Sequence, residues 1–323
     1  MKIRGFRYGP SGCVAALLLA ACGGSQPPIG APGAMPQTSA LATHADRSGS
    51  WMLPTRSGQD VIYVATETGW IYVTTYPNGK EVGSINLYPY FTARGACADA
   101  SGNVWIAGVA LVEFAHGGTK PIMTRQDGPG PFQGCSVDPT NGDFAATSHV
   151  EPKVAVWHEA RKPPKVYSEA SASLAYCGYD DRGNLFIDGV TGGTFLLLEL
   201  PKGGHKLRQL TFSQRVSSPG QVQWDGRYIA IQEAAPPADI YEVKVSGTTA
   251  SVVNTVRFSD EKAAQQSWIQ GGTVLVPHST TNPYYGSAVG LFKYPAGGRA
   301  MKTLTGRPYK YIVAVTVSVA PSR

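Results

Sequence analysis

The sequence predicts an all-β fold: a six-bladed β-propeller of four-stranded blades, closed by its C-terminal strand and preceded by a signal peptide and a flexible tether. Three observations predict it. Short runs of Val, Ile, Tyr, Trp, Phe and Thr are broken by Gly or Pro every 8 to 12 residues, and no uninterrupted amphipathic window reaches three helical turns. Six turns, five of them bearing Gly, recur with leading residues Tyr76, Phe114, Trp157, Leu200, Val245 and Tyr294, at separations of 38, 43, 43, 45 and 49. That period is the length of a propeller blade. The last residues, Tyr309 to Val319, form a further β-prone run after the sixth repeat.

Residues 1–21 read as an export signal. Lys2, Arg4 and Arg7 form a basic head, Val14 to Ala21 is a short apolar run, and Leu19-Ala20-Ala21-Cys22 closes it with small side chains. The run is well short of the roughly 20 apolar residues that span a bilayer. The ending resembles the lipobox of bacterial lipoproteins. That resemblance implies cleavage before Cys22, a diacylglycerol thioether on its sulfur and acylation of the new amine; an ordinary signal peptide cut elsewhere is the alternative. Gly23 after the cysteine, rather than Asp, implies the outer membrane in a diderm host. Residues 22–50 are rich in Gly, Pro, Ala, Ser and Gln and poor in bulky apolar side chains, so they cannot bury enough surface to offset their ordering entropy. They read as a tether, and residues 51–323 as the folded domain.

Within that domain a Gly-rich lead-in precedes an inner strand, an Asp or Gly turn, and an apolar second strand. Gly95 to Ala107, Gly134 to Ala145, Cys177 to Ile187 and Gly220 to Ala230 are successive copies, with Val61 to Val64 and Thr273 to Val276 as second strands of the more worn first and last repeats. Asp138, Asp180 and Asp225 fall at the hairpin turns, where Asp and Gly suit tight backbone geometry; a calcium loop at 138–143 would lack the spacing and the closing Glu of an EF-hand. A single blade exposes two faces, which stacking in a ring covers. The tail is expected to pair into the first blade, whose own opening strand near Trp51-Met52-Leu53 is short, and so remove an open edge. The phrases "FAHGGTKP" (114–121), "GCSVDP" (134–139) and "CGYDDRGNLFIDG" (177–189) resemble those of uncharacterised bacterial exported propellers. Residues 51–320 as a whole resemble NHL-type and gluconolactonase-like six-bladed propellers. The resemblance implies the fold and leaves activity open, because propellers host binding, scaffolding and several chemistries.

Composition narrows the function classes. Removing the leader takes away Lys2, Arg4 and Arg7 and no acidic residue, so the formal charge falls from +6 to +3. With no clustered basic face interleaved with aromatics, nucleic acid is not an expected partner. The densest basic stretch, residues 161–165, reads as a solvated turn. After the lipid site only Cys97, Cys135 and Cys177 remain, with no C-x-x-C pair. Cys135 and Cys177 each stand three residues before a turn Asp and so share an inner-strand position. Packing between blades accounts for them, and a Cys135–Cys177 bridge between adjacent blades is the alternative. Cys97 stands two before Asp99, and alternation aims it at the opposite face.

The loops joining second and third strands reach the face on which propellers usually bind ligands. They carry Glu67, His149, Asp188, Glu233 and His278, each from a different blade. Two imidazoles with carboxylates could hold a divalent metal, calcium or zinc, or act as an acid–base pair; polar solvation of a propeller mouth accounts for them equally simply. His116, His158 and His205 lie in turns on the opposite rim and are expected to be solvated. Sequence therefore favours a membrane-anchored, extracytoplasmic and monomeric module that binds a protein, peptide or glycan. Aromatic loop residues Tyr88, Tyr90, Tyr284 and Tyr285 would supply contact area, unless they pack over blade edges. A metal-assisted hydrolase or lyase at the channel mouth is the competing reading.

Overall fold

A computed structural model describes Met52 and residues 58–87, 91–160, 162–259, 266–279 and 285–321. The leader, Cys22, the tether, Trp51, Leu53, Tyr88, Tyr90 and Tyr284 lie outside the described residues. The described residues are built from β-strands, with short 3-10 turns at His158–Ala160 and Arg307–Tyr309, and no helix among them is long and apolar enough to cross a membrane.

The strands follow one another in antiparallel groups of four. The first sheet contains β1 (Val61–Thr66), β2 (Trp70–Thr75) and β3 (Glu81–Asn86). The second is β4 (Gly95–Ala98), β5 (Val104–Ala107), β6 (Leu111–Phe114) and β7 (Pro121–Arg125). The third is β8 (Phe132–Val137), β9 (Phe144–Ser148), β10 (Lys153–Trp157) and β11 (Lys165–Ser168). Next come β12 (Ala172–Tyr179), β13 (Leu185–Thr191), β14 (Thr194–Leu200) and β15 (Arg208–Phe212), then β16 (Pro219–Trp224), β17 (Ile229–Glu233), β18 (Ile240–Ser246) and β19 (Thr249–Val256). These two runs are joined into one eight-stranded sheet by a short parallel pairing of Thr211 and Phe212 with Thr249 and Ala250. The last group is β20 (Trp268–Gln270), β21 (Thr273–His278), β22 (Ala288–Lys293) and β23 (Gly297–Leu304). The tail strand β24 (Ile312–Ser318) returns to the first sheet, giving the order β24-β1-β2-β3.

The expected closure is therefore present in a specific form. β24 does not add to an outer edge; it is the innermost strand, with Val61 opposite Ser318 and Ala65 opposite Ala314. The inner strands β4, β8, β12, β16 and β20 pack side by side in that order, and β24 packs against both β20 and β4. The ring closes, and the chain is a β-propeller. Gln266, just before β20, reinforces the seam. Its side-chain amide accepts from Ala96 N (2.8 Å) and donates to Ala96 O (2.6 Å) on β4, spanning β24.

Packing between sheets explains the apolar alternation read from sequence. Trp105, Phe132, Phe144 and Trp157 fill the gap between the second and third sheets, with the Trp105 and Phe144 rings stacked at 4.2 Å. All four are essentially fully buried, each contributing about 2–3 kcal/mol at 25 cal/mol per Å² of apolar surface removed from water.

This interface corrects the cysteine pairing. The disulfide links Cys97 to Cys135, and Cys177 is buried and free. Neighbouring sheets meet front to back, so residues in equivalent positions point the same way around the ring and cannot touch. Cys135 and Cys177 fill such equivalent slots, facing the second and third sheets respectively. Cys97, displaced by one residue, points to the opposite face, and that offset brings it onto Cys135.

Candidate functional site

In an antiparallel four-stranded sheet the first-to-second and third-to-fourth connections lie at one end. The second-to-third connections, and those leading to the next sheet, lie at the other. We call these the turn rim and the mouth rim.

On the turn rim the Asp expectation holds at Asp138, Asp180 and Asp225, and Asp99 fills the same place in the second sheet. Asp99 Oδ1 accepts from Ser101 N (2.8 Å) and Asn103 N (2.9 Å), and Asp180 Oδ1 accepts from Arg182 N (2.9 Å) and Asn184 N (2.8 Å). Asn103 and Asn184 also donate their side-chain amides to the second oxygen of each carboxylate. Asp138 accepts from Thr140, and Asp225 from Arg227 and Tyr228. These are local turn clamps. The histidines of this rim differ among themselves. His158 is exposed and pairs with Asp143 (2.7 Å), and His205 is exposed beside Lys165. His116 corrects the expectation of a solvated residue: it is half-buried, with Nδ1 2.6 Å from Ser318 Oγ on the closing strand.

The five mouth candidates are not brought together. Asp188 lies inside the ring, fully buried in the middle of β13. The inner strand bulges at residues 133–134, 175–176 and 220–221, and the side chains facing those bulges are Thr147, Asp188 and Gln232. Each clasps its own bulge and the next inner strand. Thr147 Oγ1 accepts from Gly134 N (2.9 Å) and donates to Ala175 O. Asp188 Oδ1 accepts from Tyr176 N (2.7 Å), and the carboxylate is also served by Gly220 N. Gln232 Oε1 accepts from Gln221 N (3.3 Å) and from Ser267 N and Oγ (3.0 and 2.8 Å). Burial drives the Asp188 pKa well above the ordinary carboxylate range, despite those donors. Asp188 is thus the acidic member of a structural series, and its Oδ2 is buried without a hydrogen-bond partner.

Glu233, also buried, accepts from Ser217 N (2.7 Å), Ser218 N (2.8 Å) and Ala235 N (3.2 Å), which fixes the entry to β16. His278 is half-buried at the end of β21. Glu67 takes a short hydrogen bond from Tyr285 Oη. His149 is exposed, with Nδ1 donating to Gln133 Oε1 (2.7 Å). Among the described residues no group of three or more His, Cys, Asp or Glu side chains is placed to hold a metal ion.

Sequence reasoning passed over Arg94, just before β4. Its guanidinium makes no ion pair or side-chain hydrogen bond among the described residues, yet its charge reaches three neighbours. Partial burial and then Arg94 hold the His149 imidazole below the ordinary histidine range. Burial pushes the Tyr176 phenol up to about 12, with Gln133 and Arg94 acting against it. The Glu67 hydrogen bond raises Tyr285, again opposed by Arg94. Next to Tyr285, at a ring separation of 6.2 Å, stands Tyr311, which is 54% exposed and held at φ +57°, in the left-handed region rare for a side chain of its size. An arginine alone carries no motif, and nothing in the segment before β4 marks it out in the sequence.

No family model and no curated protein matches the sequence. Solved structures do resemble the fold. A chain from the crystal structure of a nidogen/laminin complex superposes with a TM-score of 0.65 at 13% identity, covering 81% of this chain and 100% of that one. A protein of unknown function from Bacteroides caccae superposes with a TM-score of 0.61 at 10% identity, covering 80% and 99% respectively. At such identities the likeness establishes the β-propeller fold alone.

Proposed function

We propose that this chain is a six-bladed propeller of the NHL-like and gluconolactonase-like group, exported, lipidated at Cys22 and tethered by residues 23–50 to the cell envelope, where its mouth rim binds a protein or peptide. Counting each run of four strands as one blade gives the six, with β24 supplying the inner strand of the first. The binding reading rests on one observation: Arg94, which forms no ion pair among the described residues, lies within electrostatic reach of Tyr176, His149 and Tyr285, and Tyr285 stands beside the exposed, strained Tyr311. Arg and Tyr supply large, partly apolar contact area with directional polar groups and dominate protein-recognition hot spots. A propeller chain within a nidogen/laminin complex is consistent with this use of the fold. The chain acts as a monomer in this reading, since its sheets close on themselves.

Replacing Tyr311 with a photoreactive aromatic residue in cells tests the mouth rim. A cross-link to a discrete envelope protein is expected, weakened at least tenfold in an Arg94→Glu background. An absent cross-link, or one indifferent to Arg94, defeats the binding reading. Separately, Cys22→Ala should move the protein from the detergent phase to the aqueous phase. Unchanged partition would remove the anchor while leaving the binding test intact.

A further inference from the structure

Between the β8–β11 and β12–β15 sheets the turn rim opens into a cavity of about 220 Å³. Its floor is Asp138, 2% exposed, and Tyr179, 7% exposed; Lys165, Lys202 and His205 line its edge, with Asn141 and Asp143 on one wall. The walls come from two different sheets. Gly183 forms the close approach between them: a Cβ there would stand 2.7 Å from Asp138 Oδ2, and its φ of +83° already requires glycine.

The charges are arranged unusually for a surface cleft. Asp143, the wall carboxylate, is occupied by His158 at 2.7 Å. Lys202 Nζ donates to Thr140 Oγ1 (2.8 Å), and Lys165 Nζ donates to His205 Nδ1 (3.0 Å). Two ammonium groups from opposite sides thus reach the cavity edge, and among the described residues neither forms an ion pair with a carboxylate. Beneath them Asp138 Oδ1 is engaged by Thr140, whereas its other oxygen turns toward Gly183 and the cavity. Burial raises the Asp138 pKa, opposed by its Thr140 hydrogen bonds and by Lys202. Cations stand at the edge, hydrogen-bonding oxygens and a phenol at the base, and Tyr167 along the side.

The geometry points to a binding site for a single carboxylated sugar ring, of hexuronate size. Its carboxylate would sit between Lys165 and Lys202, its hydroxyls on Asp138 and Asn141, and its apolar edge against Tyr179. The cavity is below the roughly 300 Å³ at which drug-sized sites begin, which suits one ring rather than an extended chain. A bare anion would use the lysines but not the buried oxygens; a neutral hexose would use the oxygens but not the lysines.

Calorimetric titration of the intact chain with glucuronate, glucose and inorganic phosphate separates these cases. Saturable glucuronate binding is expected, at least tenfold tighter than for glucose or phosphate, with Lys165→Ala and Lys202→Ala each weakening it at least tenfold at unchanged melting temperature. The exposed Lys206, outside the cavity, serves as control, and Lys206→Ala should bind as the parent does. No saturation by about 10 mM glucuronate, a dissociation constant corresponding to less than roughly 3 kcal/mol, overturns the proposal. So does equal affinity for glucose, or phosphate binding as tight as glucuronate binding. The site is independent of the mouth rim: Lys202→Ala should leave the Tyr311 cross-link unchanged.

Discussion

The two rims of this propeller are built from the same repeat, yet they treat polar residues differently. On the turn rim Asp99 and Asp180 make the same hydrogen bonds to residues two and four positions on, with the same Asn partner. On the mouth rim the corresponding ends of the second strands carry Glu67, His149, Glu233 and His278, each with different surroundings. A polar residue that recurs in four successive repeats is solving a problem they share, here the unsatisfied amides of a tight turn. One that occurs once is free to meet a ligand. The rims should therefore respond differently to substitution at their exposed side chains, with loss of stability on the turn rim and loss of binding on the mouth rim, while the buried Glu233 clamp behaves as the turn carboxylates do.

The largest break removes what both rims share. Deleting residues 309–323 takes away β24, the inner strand of the first sheet, and should abolish cooperative unfolding; a melt like that of the parent would refute the closure. Next is the Cys97–Cys135 bridge, which spans a sequence separation of 38. Chain-entropy reasoning gives about 4 kcal/mol for a loop of this length, so Cys97→Ala should lower the denaturation free energy by roughly 2–4 kcal/mol. Thiol titration of the denatured, unreduced domain should find Cys177 reactive and that pair unreactive; three reactive thiols would contradict the pairing.

A pH effect follows in size. Glu113 on β6 is 7% exposed, and burial, then Asp99, raise its pKa to about 8. A carboxyl whose folded pKa exceeds its unfolded value stabilises the fold while protonated. That contribution is complete below about 4.5 and is lost as pH rises toward about 8. Stability should therefore fall by a few kcal/mol across that window, and Glu113→Gln should flatten the slope. A parent whose stability is level over this range would show that the carboxyl is not held protonated.

The direct test of the two-rim contrast is smaller. Asp180→Ala should cost about 1–2 kcal/mol through its orphaned turn amides. His149→Ala, exposed on the mouth rim, should change stability by less than about 0.5 kcal/mol. Equal costs at the two positions would erase the distinction.

The repeat was legible because the turns between third and fourth strands recur at a near-constant spacing, each led by a bulky apolar residue, and the first and last begin Tyr76-Pro77 and Tyr294-Pro295 with Gly following in both. The tail was legible for a similar reason, since a run as apolar as Ile312–Val317 needs a sheet on both flanks. The bulges were not. Asp188 looked like a loop residue because β13 runs on past it to Thr191, and its side chain faces the bulge of β12 at residues 175–176, where it is a buried clasp. The disulfide depended on a subtler matter, the front-to-back stacking of neighbours, for which offset rather than equivalence is the condition of contact. Arg94 escaped because an unpaired charge is defined by what surrounds it.

The position of β24 bears on how the molecule is made. A ribosome delivers residues 312–318 after every earlier repeat, and those repeats must wait in an open arc until they arrive, with β1 missing a partner some 250 positions downstream. A chain cut short before β24 therefore presents an unpaired edge at Val61–Thr66 and exposes the hydrophobic inner wall beside β4. Ring closure is thus also a check that translation has passed β24.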